Sequence, residues 1–262
     1  DVGTAHYSIP IEVPPGRAGM QPSLALSYVS EKADGMLGIG WSLNGLSSIR
    51  RCPKIPARDG VGRGVRHGAQ DLFCLDGQAL IAEPGLTYGG HGTRYRTEID
   101  SFSHIYSWGE PFSEDAYVGP RSFEVWTKDG KILRYGSTPN SSAILGGPPE
   151  VAAIKRVWAL DEVEDIPGNT MTIHYRAHNA VGVTPPSGPG GQAAPFVTET
   201  GEMVPDAIHY GGTKDGARAP SRSVRFEYEP RLNPLIQYFA GRTVALTERM
   251  RSIKTFVGTD LV

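Results

Sequence analysis

Apolar residues along this chain recur mostly at every second position. Tyr7, Ile9, Ile11 and Val13 alternate with Ser8, Pro10 and Glu12, the period of a half-buried strand. Pro10 lacks an N–H, which places that strand at a sheet edge or at its own start. After a turn at Pro14-Pro15-Gly16, Leu24, Leu26 and Tyr28 alternate with Ser23, Ala25 and Ser27 in a second strand. In the run GMLGIGW that follows, Gly35, Gly38 and Gly40 space Leu37, Ile39 and Trp41. Three glycines so close predict a tight bend, or backbone packed on backbone.

Paired arms around turn dipeptides then repeat. Residues 71–81 flank Asp76-Gly77, a favoured two-residue hairpin turn. Tyr95, Thr97 and Ile99 face Phe102, His104 and Tyr106 across Asp100-Ser101. Residues 123–135 turn at Asp129-Gly130, with Val125 and Trp126 on one arm and Ile132 and Leu133 on the other. Residues 157–175 repeat this with a longer turn ending at Gly168-Asn169, and strands resume at 207–210 and at Val224, Phe226 and Tyr228. Residues 246–257 fit two patterns, a helical stripe of Leu246, Met250 and Ile253 or a strand over 253–257. Residues 54–70 read as an exposed polar loop, and 178–206, with TPPSGPGGQAAP, as a long Pro/Gly-rich surface loop. The predicted fold is all-β: an antiparallel meander of hairpins in a sandwich- or shell-like sheet, with little helix. Its open edges need a neighbouring segment or chain to cover them.

Composition agrees with many turns joining short apolar segments. Gly 33 and Pro 21 make about a fifth of the 262 residues, above the usual background of roughly 12%. Hydrophobic content of 39% is too high for a disordered chain. A net charge of -2, from 26 basic and 28 acidic residues, leaves no electrostatic footprint for nucleic acid. Apolar runs fall short of the ~18 residues of a helical membrane span. Cys52 and Cys74 leave two readings open, one intrachain disulfide or two buried thiols acting as small hydrophobes.

Candidate chemistry is sparse. The GMLGIG run has the spacing GxxGxG, no lysine follows it, and no helix start follows Trp41, so phosphate binding is not expected. His174 and His178 have helical metal-site spacing but fall on a strand, where four residues span roughly 13 Å. No CxxC, HExxH or GxSxG motif occurs, and neither a metal nor a cofactor is expected. Asp161, Glu162, Glu164 and Asp165 crowd one turn. Glu162 and Glu164 mimic the ExE element of ADP-ribosylating toxins, with Arg134 and Ser137-Thr138 as candidate arginine and serine-threonine elements. A solvated hairpin rim accounts for the same residues better. Trp41, Trp108, Trp126 and Trp158 offer a carbohydrate platform, although large aromatics at strand positions more often pack a core.

The segments at 7–28 (YSIPIEVPPGRAGMQPSLALSY), 35–53 (GMLGIGWSLNGLSSIRRCP) and 71–80 (DLFCLDGQAL) resemble the SpvB-type N-terminal region. So do the segments at 92–102, 123–136, 158–175, 205–212 and 224–231, so the resemblance covers nearly the whole chain. The family is that of the Salmonella virulence plasmid 65 kDa B protein, and the same region begins the B components of insecticidal Tc toxin complexes. The resemblance implies that residues 1–262 are one β-rich module and a fragment of a larger secreted protein. It further implies a non-enzymatic role at the start of a β shell built with YD (rearrangement-hotspot) repeats, one of which residues 165–175 resemble. The implied partners are a C-component-like shell subunit and a toxic cargo. The family's ADP-ribosyltransferase occupies a separate C-terminal region, and no family catalytic residue maps onto this chain. A carbohydrate- or receptor-binding module is the alternative reading. In the shell reading Gly35, Gly38, Gly40, Gly77, Gly130 and Gly168 serve as structural glycines at bends and turns.

Overall fold

A computed structural model describes residues 3–113, 116–145, 154–178, 202–239 and 242–262. Strand is the dominant regular structure of the described residues, as the alternation predicts, with only short helical segments at Arg17–Gly19 and Pro56–Asp59. The chain divides into two units: residues 1–46, 167–237 and 244–262 in one, and residues 47–166 and 238–243 in the other.

The first unit opens with a three-stranded antiparallel sheet of β1 (His6–Ile11), β2 (Leu24–Val29) and β3 (Trp41–Asn44). Strand β1 lies at its edge, where Pro10 is tolerated. Residues directly opposite share a face, so Tyr7, Tyr28 and Trp41 form one cross-strand row, and Ile9, Leu26 and Leu43 form the next. The glycine run between β2 and β3 makes the expected bend. At Gly40 φ is +81°, and a Cβ there would lie 2.3 Å from the Tyr28 ring.

The second unit contains β4 (Ser48–Cys52), β5 (Leu72–Leu75), β6 (Gln78–Ala82), β7 (Arg94–Thr97) and β8 (His104–Trp108). A small pair, β9 (Phe112–Ser113) and β10 (Ala116–Tyr117), precedes β11 (Ser122–Trp126), β12 (Ile132–Tyr135), β13 (Ser142–Leu145) and β14 (Ile154–Glu164). The strands pair in the order β12-β11-β8-β7-β6-β5-β4-β14. Strand β14 then pairs with β12, Leu133 opposite Val163 and Arg134 opposite Glu162, and closes the meander into an eight-stranded ring. Closure removes the open edges that the sequence leaves exposed, by a contact too distant in sequence to be read from local pattern.

A barrel of eight strands has an interior just wide enough for side chains to fill. Here Phe73, Phe123 and Trp158 pack edge to face, with ring centroids 5.2 to 5.3 Å apart. Ile49, Leu80, Tyr95, Ile105 and Tyr135 are buried with them. Trp158 is therefore core, as the sheet-packing reading holds, and its Nε1 donates to Pro120 O at 2.9 Å. Trp41 and Trp108 are half-buried, while Trp126 is 47% exposed.

The chain continues with β15 (Asn169–His178), β16 (Glu202–Thr213), β17 (Arg222–Phe239), β18 (Arg242–Val257) and β19 (Asp260–Leu261), neighbours in that order and all in the first unit but for residues 238–239 of β17 and 242–243 of β18. Residues 246–257 are thus strand, lying beside β17, with Phe256 and Val257 also paired to β19. Two loops differ from expectation. Residues 54–70 are not simply exposed: they hold a short helix, α1 (Pro56–Asp59), and a buried His67. Of the loop expected at 178–206, residues 179–201 lie outside the described residues, whereas His178 ends β15 and 202–206 begin β16. Glu202 is buried and accepts hydrogen bonds from Thr247 N at 3.0 Å, Thr247 Oγ1 at 2.6 Å and Glu248 N at 3.3 Å. Those donors let a carboxylate sit where burial would otherwise be costly.

Candidate functional site

The strongest concentration of chemistry-bearing side chains lies along β12 and β14. Alternation along β14 sends Asp161 to one side of the strand and Glu162 and Glu164 to the other. Asp161 is buried and accepts four hydrogen bonds, from Ser137 N (2.6 Å), Ser137 Oγ (2.9 Å), Thr138 N (2.9 Å) and Ser141 Oγ (2.6 Å). Its lone pairs are taken up in tying the 137–141 turn to the barrel wall, which leaves no acceptor free for proton abstraction. Ser137 and Thr138 are parts of this anchor.

Glu162 and Glu164 do share a face, and both converge on one cation. Arg134 Nη1 lies 2.8 Å from Glu162 Oε1 and 2.9 Å from Glu164 Oε2, and its Nε lies 3.4 Å from Glu124 Oε2. Burial by itself would lower the Arg134 pKa, but the Glu164 hydrogen bond and the charges of Glu162, Glu164 and Glu124 outweigh it and raise it. The guanidinium stays charged and stitches β11, β12 and β14 together at the seam of ring closure. Arg134, Glu162 and Glu164 are thus brought together, and what the arrangement does is gather the carboxylates of β11 and β14 around one cation.

Sequence reasoning missed a second polar centre. Arg51 and Asp71 are buried together, Nη1 to Oδ2 3.4 Å, with side chains 1% and 2% exposed. Arg51 also donates to Lys155 O at 2.7 Å, Gly68 O at 3.1 Å and Val118 O at 3.3 Å, and lies 5.8 Å from the Phe73 and Trp158 rings. Asp71 accepts from Arg66 N and Gly68 N. The only sequence signal was an arginine at the inward phase of β4, opposite Phe73.

Cys52 and Cys74 lie on the paired strands β4 and β5, with Cα atoms 5.8 Å apart and sulfurs joined at 2.04 Å. Gly38, Gly77, Gly130 and Gly168 all carry positive φ, but Gly35 does not, and a Cβ there would meet only Trp41 O at 4.0 Å. The GMLGIG bend leads into strand β3 rather than a helix, so it has no helix N-terminus to receive a phosphate. Among the described residues no three His, Cys, Asp or Glu side chains are grouped to hold a metal ion. No helix among them is long and apolar enough to cross a membrane. A shallow apolar depression of about 310 Å³ lies on the first sheet, lined by Ile9, Leu26, Leu37 and Trp41.

The fold is shared with solved toxin structures. At 18% identity and TM-score 0.70, 97% of this chain superposes on 13% of a chain in the crystal structure of TcdB2-TccC3-Cdc42. The Photorhabdus luminescens Tc holotoxin pore matches over the same shares at 18% identity and TM-score 0.68. The N-terminal domain of effector protein SpvB from Salmonella typhimurium strain LT2 matches at 19% identity and TM-score 0.68, over 95% of this chain and 87% of that one. The chain therefore spans about an eighth of the Tc chains it matches and most of the SpvB N-terminal domain. A comparison with curated protein sequences finds no match. The sequence model described as Salmonella virulence plasmid 65kDa B protein matches residues 1–229, and the chain belongs to this SpvB family.

Proposed function

We propose that this chain is a non-enzymatic structural module of a secreted bacterial toxin or virulence protein. It forms the start of a β shell that encloses a toxic cargo or supports its delivery. Its partners are further segments or subunits of a toxin complex, including a C-component-like shell subunit and the cargo. The observation that carries this reading is the closed, side-chain-filled ring whose carboxylates are engaged in holding strands together. Family membership supports it, as does a fold that recurs as a small part of much longer Tc chains. The test is protease protection: the longer polypeptide carrying this module is assembled with its shell partner and cargo, with the module intact or deleted. The cargo is expected to resist digestion only with the module intact, and equal digestion rates would overturn the reading.

One observation favours the alternative, a carbohydrate- or receptor-binding module. The row Tyr7, Tyr28 and Trp41 lies across an open sheet with Tyr7 63% exposed, a geometry on which a sugar ring can stack. Glycan-array binding that disappears in Tyr7→Ala and Trp41→Ala would move the assignment there. ADP-ribosyl transfer has the least support, because Arg134, Ser137 and Thr138 are engaged in internal contacts. Saturable NAD binding by calorimetry would reopen it.

A further inference from the structure

Two histidines meet on the first unit's long sheet. His174 on β15 and His209 on β16 have ring centroids 5.3 Å apart, with planes inclined at 73°. In the strand register Thr172 faces His209 and His174 faces Ala207, so the two imidazoles are diagonal neighbours. His174 Nε2 lies 3.4 Å from Thr172 Oγ1, which directs that nitrogen along β15 toward the row holding His209.

We propose that His174 and His209 form a two-histidine site for a divalent transition-metal ion of the class that favours imidazole, copper(II) or zinc(II). A metal bound ~2.0–2.1 Å from one nitrogen of each ring sits roughly 3 Å from each centroid. A tetrahedral angle between the ligands then places the centroids about 5 Å apart, close to the separation observed. The two rings already sit at that spacing, on paired strands.

The electrostatics allow a lone pair to be presented. Burial, then the neighbouring charges of His174 and Arg225, hold the His209 imidazole below its ordinary pKa against the opposing pull of Asp206. The flanking cations are themselves held. Arg225 lies over the Phe256 ring at 4.5 Å, and Arg176 pairs with Asp206 at 3.1 Å and Glu248 at 3.4 Å. No third His, Cys, Asp or Glu joins the pair among the described residues. Water completes the coordination, and the site is open and exchangeable rather than structural.

Calorimetric titration of the full chain with Cu²⁺, Zn²⁺ and Mg²⁺ near neutral pH tests this. The expected result is one ion per chain, with Cu²⁺ bound more tightly than Zn²⁺ and no binding of Mg²⁺. His174→Gln and His209→Gln should each weaken Cu²⁺ binding by at least about tenfold. His104→Gln, at an exposed histidine beside Arg94, should leave it unchanged. An unaltered urea midpoint for His174→Gln, an exposed position, separates lost ligation from lost fold. Binding should also weaken as pH falls, because protons compete for the imidazoles. Absence of saturable Cu²⁺ binding, or its persistence in the double variant H174Q/H209Q, would overturn the proposal.

Discussion

Asp161 shows how a carboxylate can look catalytic in sequence and be architectural in the fold. Four donors from 137–141 surround it, and removing the acceptor leaves several of them buried without a partner. Asp161→Ala should therefore cost on the order of 3 kcal/mol or more in urea unfolding, since each orphaned buried donor costs roughly 1–3 kcal/mol. Asp161→Asn, which keeps one acceptor oxygen, should fall between. A loss below about 0.5 kcal/mol would show that water replaces the carboxylate. The glycines of the bend can be ranked in the same way. Gly38 and Gly40 both have positive φ, but only Gly40 lacks room, its Cβ meeting the Tyr28 ring. Gly40→Ala should lower the unfolding midpoint more than Gly38→Ala, while Gly35→Ala, with ordinary φ and open space, should be nearly neutral. Equal effects at 38 and 40 would mean that Tyr28 moves aside freely.

Between elements, the Cys52–Cys74 bond links the neighbouring strands β4 and β5 across a sequence separation of 22. A loop of that length restricts the unfolded chain by about 3 kcal/mol on the entropy model. Reduction, or Cys52→Ala with Cys74→Ala, should lower stability by that order, and an unchanged midpoint in reductant would refute it. The hairpins at 71–81 and 123–135 were legible because Asp-Gly turns and period-2 alternation are local signals. The seam between β12 and β14 was not, since pairing Leu133 with Val163 depends on barrel geometry rather than on turn chemistry. The carboxylate row was visible as Glu162 and Glu164 on one strand face, but its arginine partner had two readings until Arg134 took its place opposite Glu162. Arg51 and Asp71 left no pattern, because a buried pair announces itself only through what surrounds it. The same holds for Glu202 at the start of β16, where the sequence around it reads as loop.

At the scale of the whole molecule, buried tyrosines set an alkaline limit. Tyr95 and Tyr135 lie in the ring, and Tyr210 and Tyr228 in the other unit; burial is the leading cause that raises all four above their ordinary pKa. Each hydroxyl has an internal partner: Ser107 Oγ for Tyr95, Ser47 Oγ for Tyr135, Pro14 O for Tyr210 and Pro205 O for Tyr228. A raised folded pKa means that the folded state keeps protons that the unfolded chain releases. The stabilisation is then complete below the unfolded value of about 10 and is lost as pH rises through it toward the folded values. Lys155 and Arg156 act in the opposite sense, because burial lowers both, Arg156 to about 10, and the folded state gains stability as they deprotonate. Four phenols outnumber these two cations, and Tyr135 and Tyr228 are shifted furthest, so the net effect is destabilising. The urea midpoint should therefore decline above about pH 10, and Tyr228→Phe, which cannot ionise, should flatten part of that decline. A midpoint that stays level or rises across that range would mean that the buried cations, rather than the tyrosines, govern the alkaline edge.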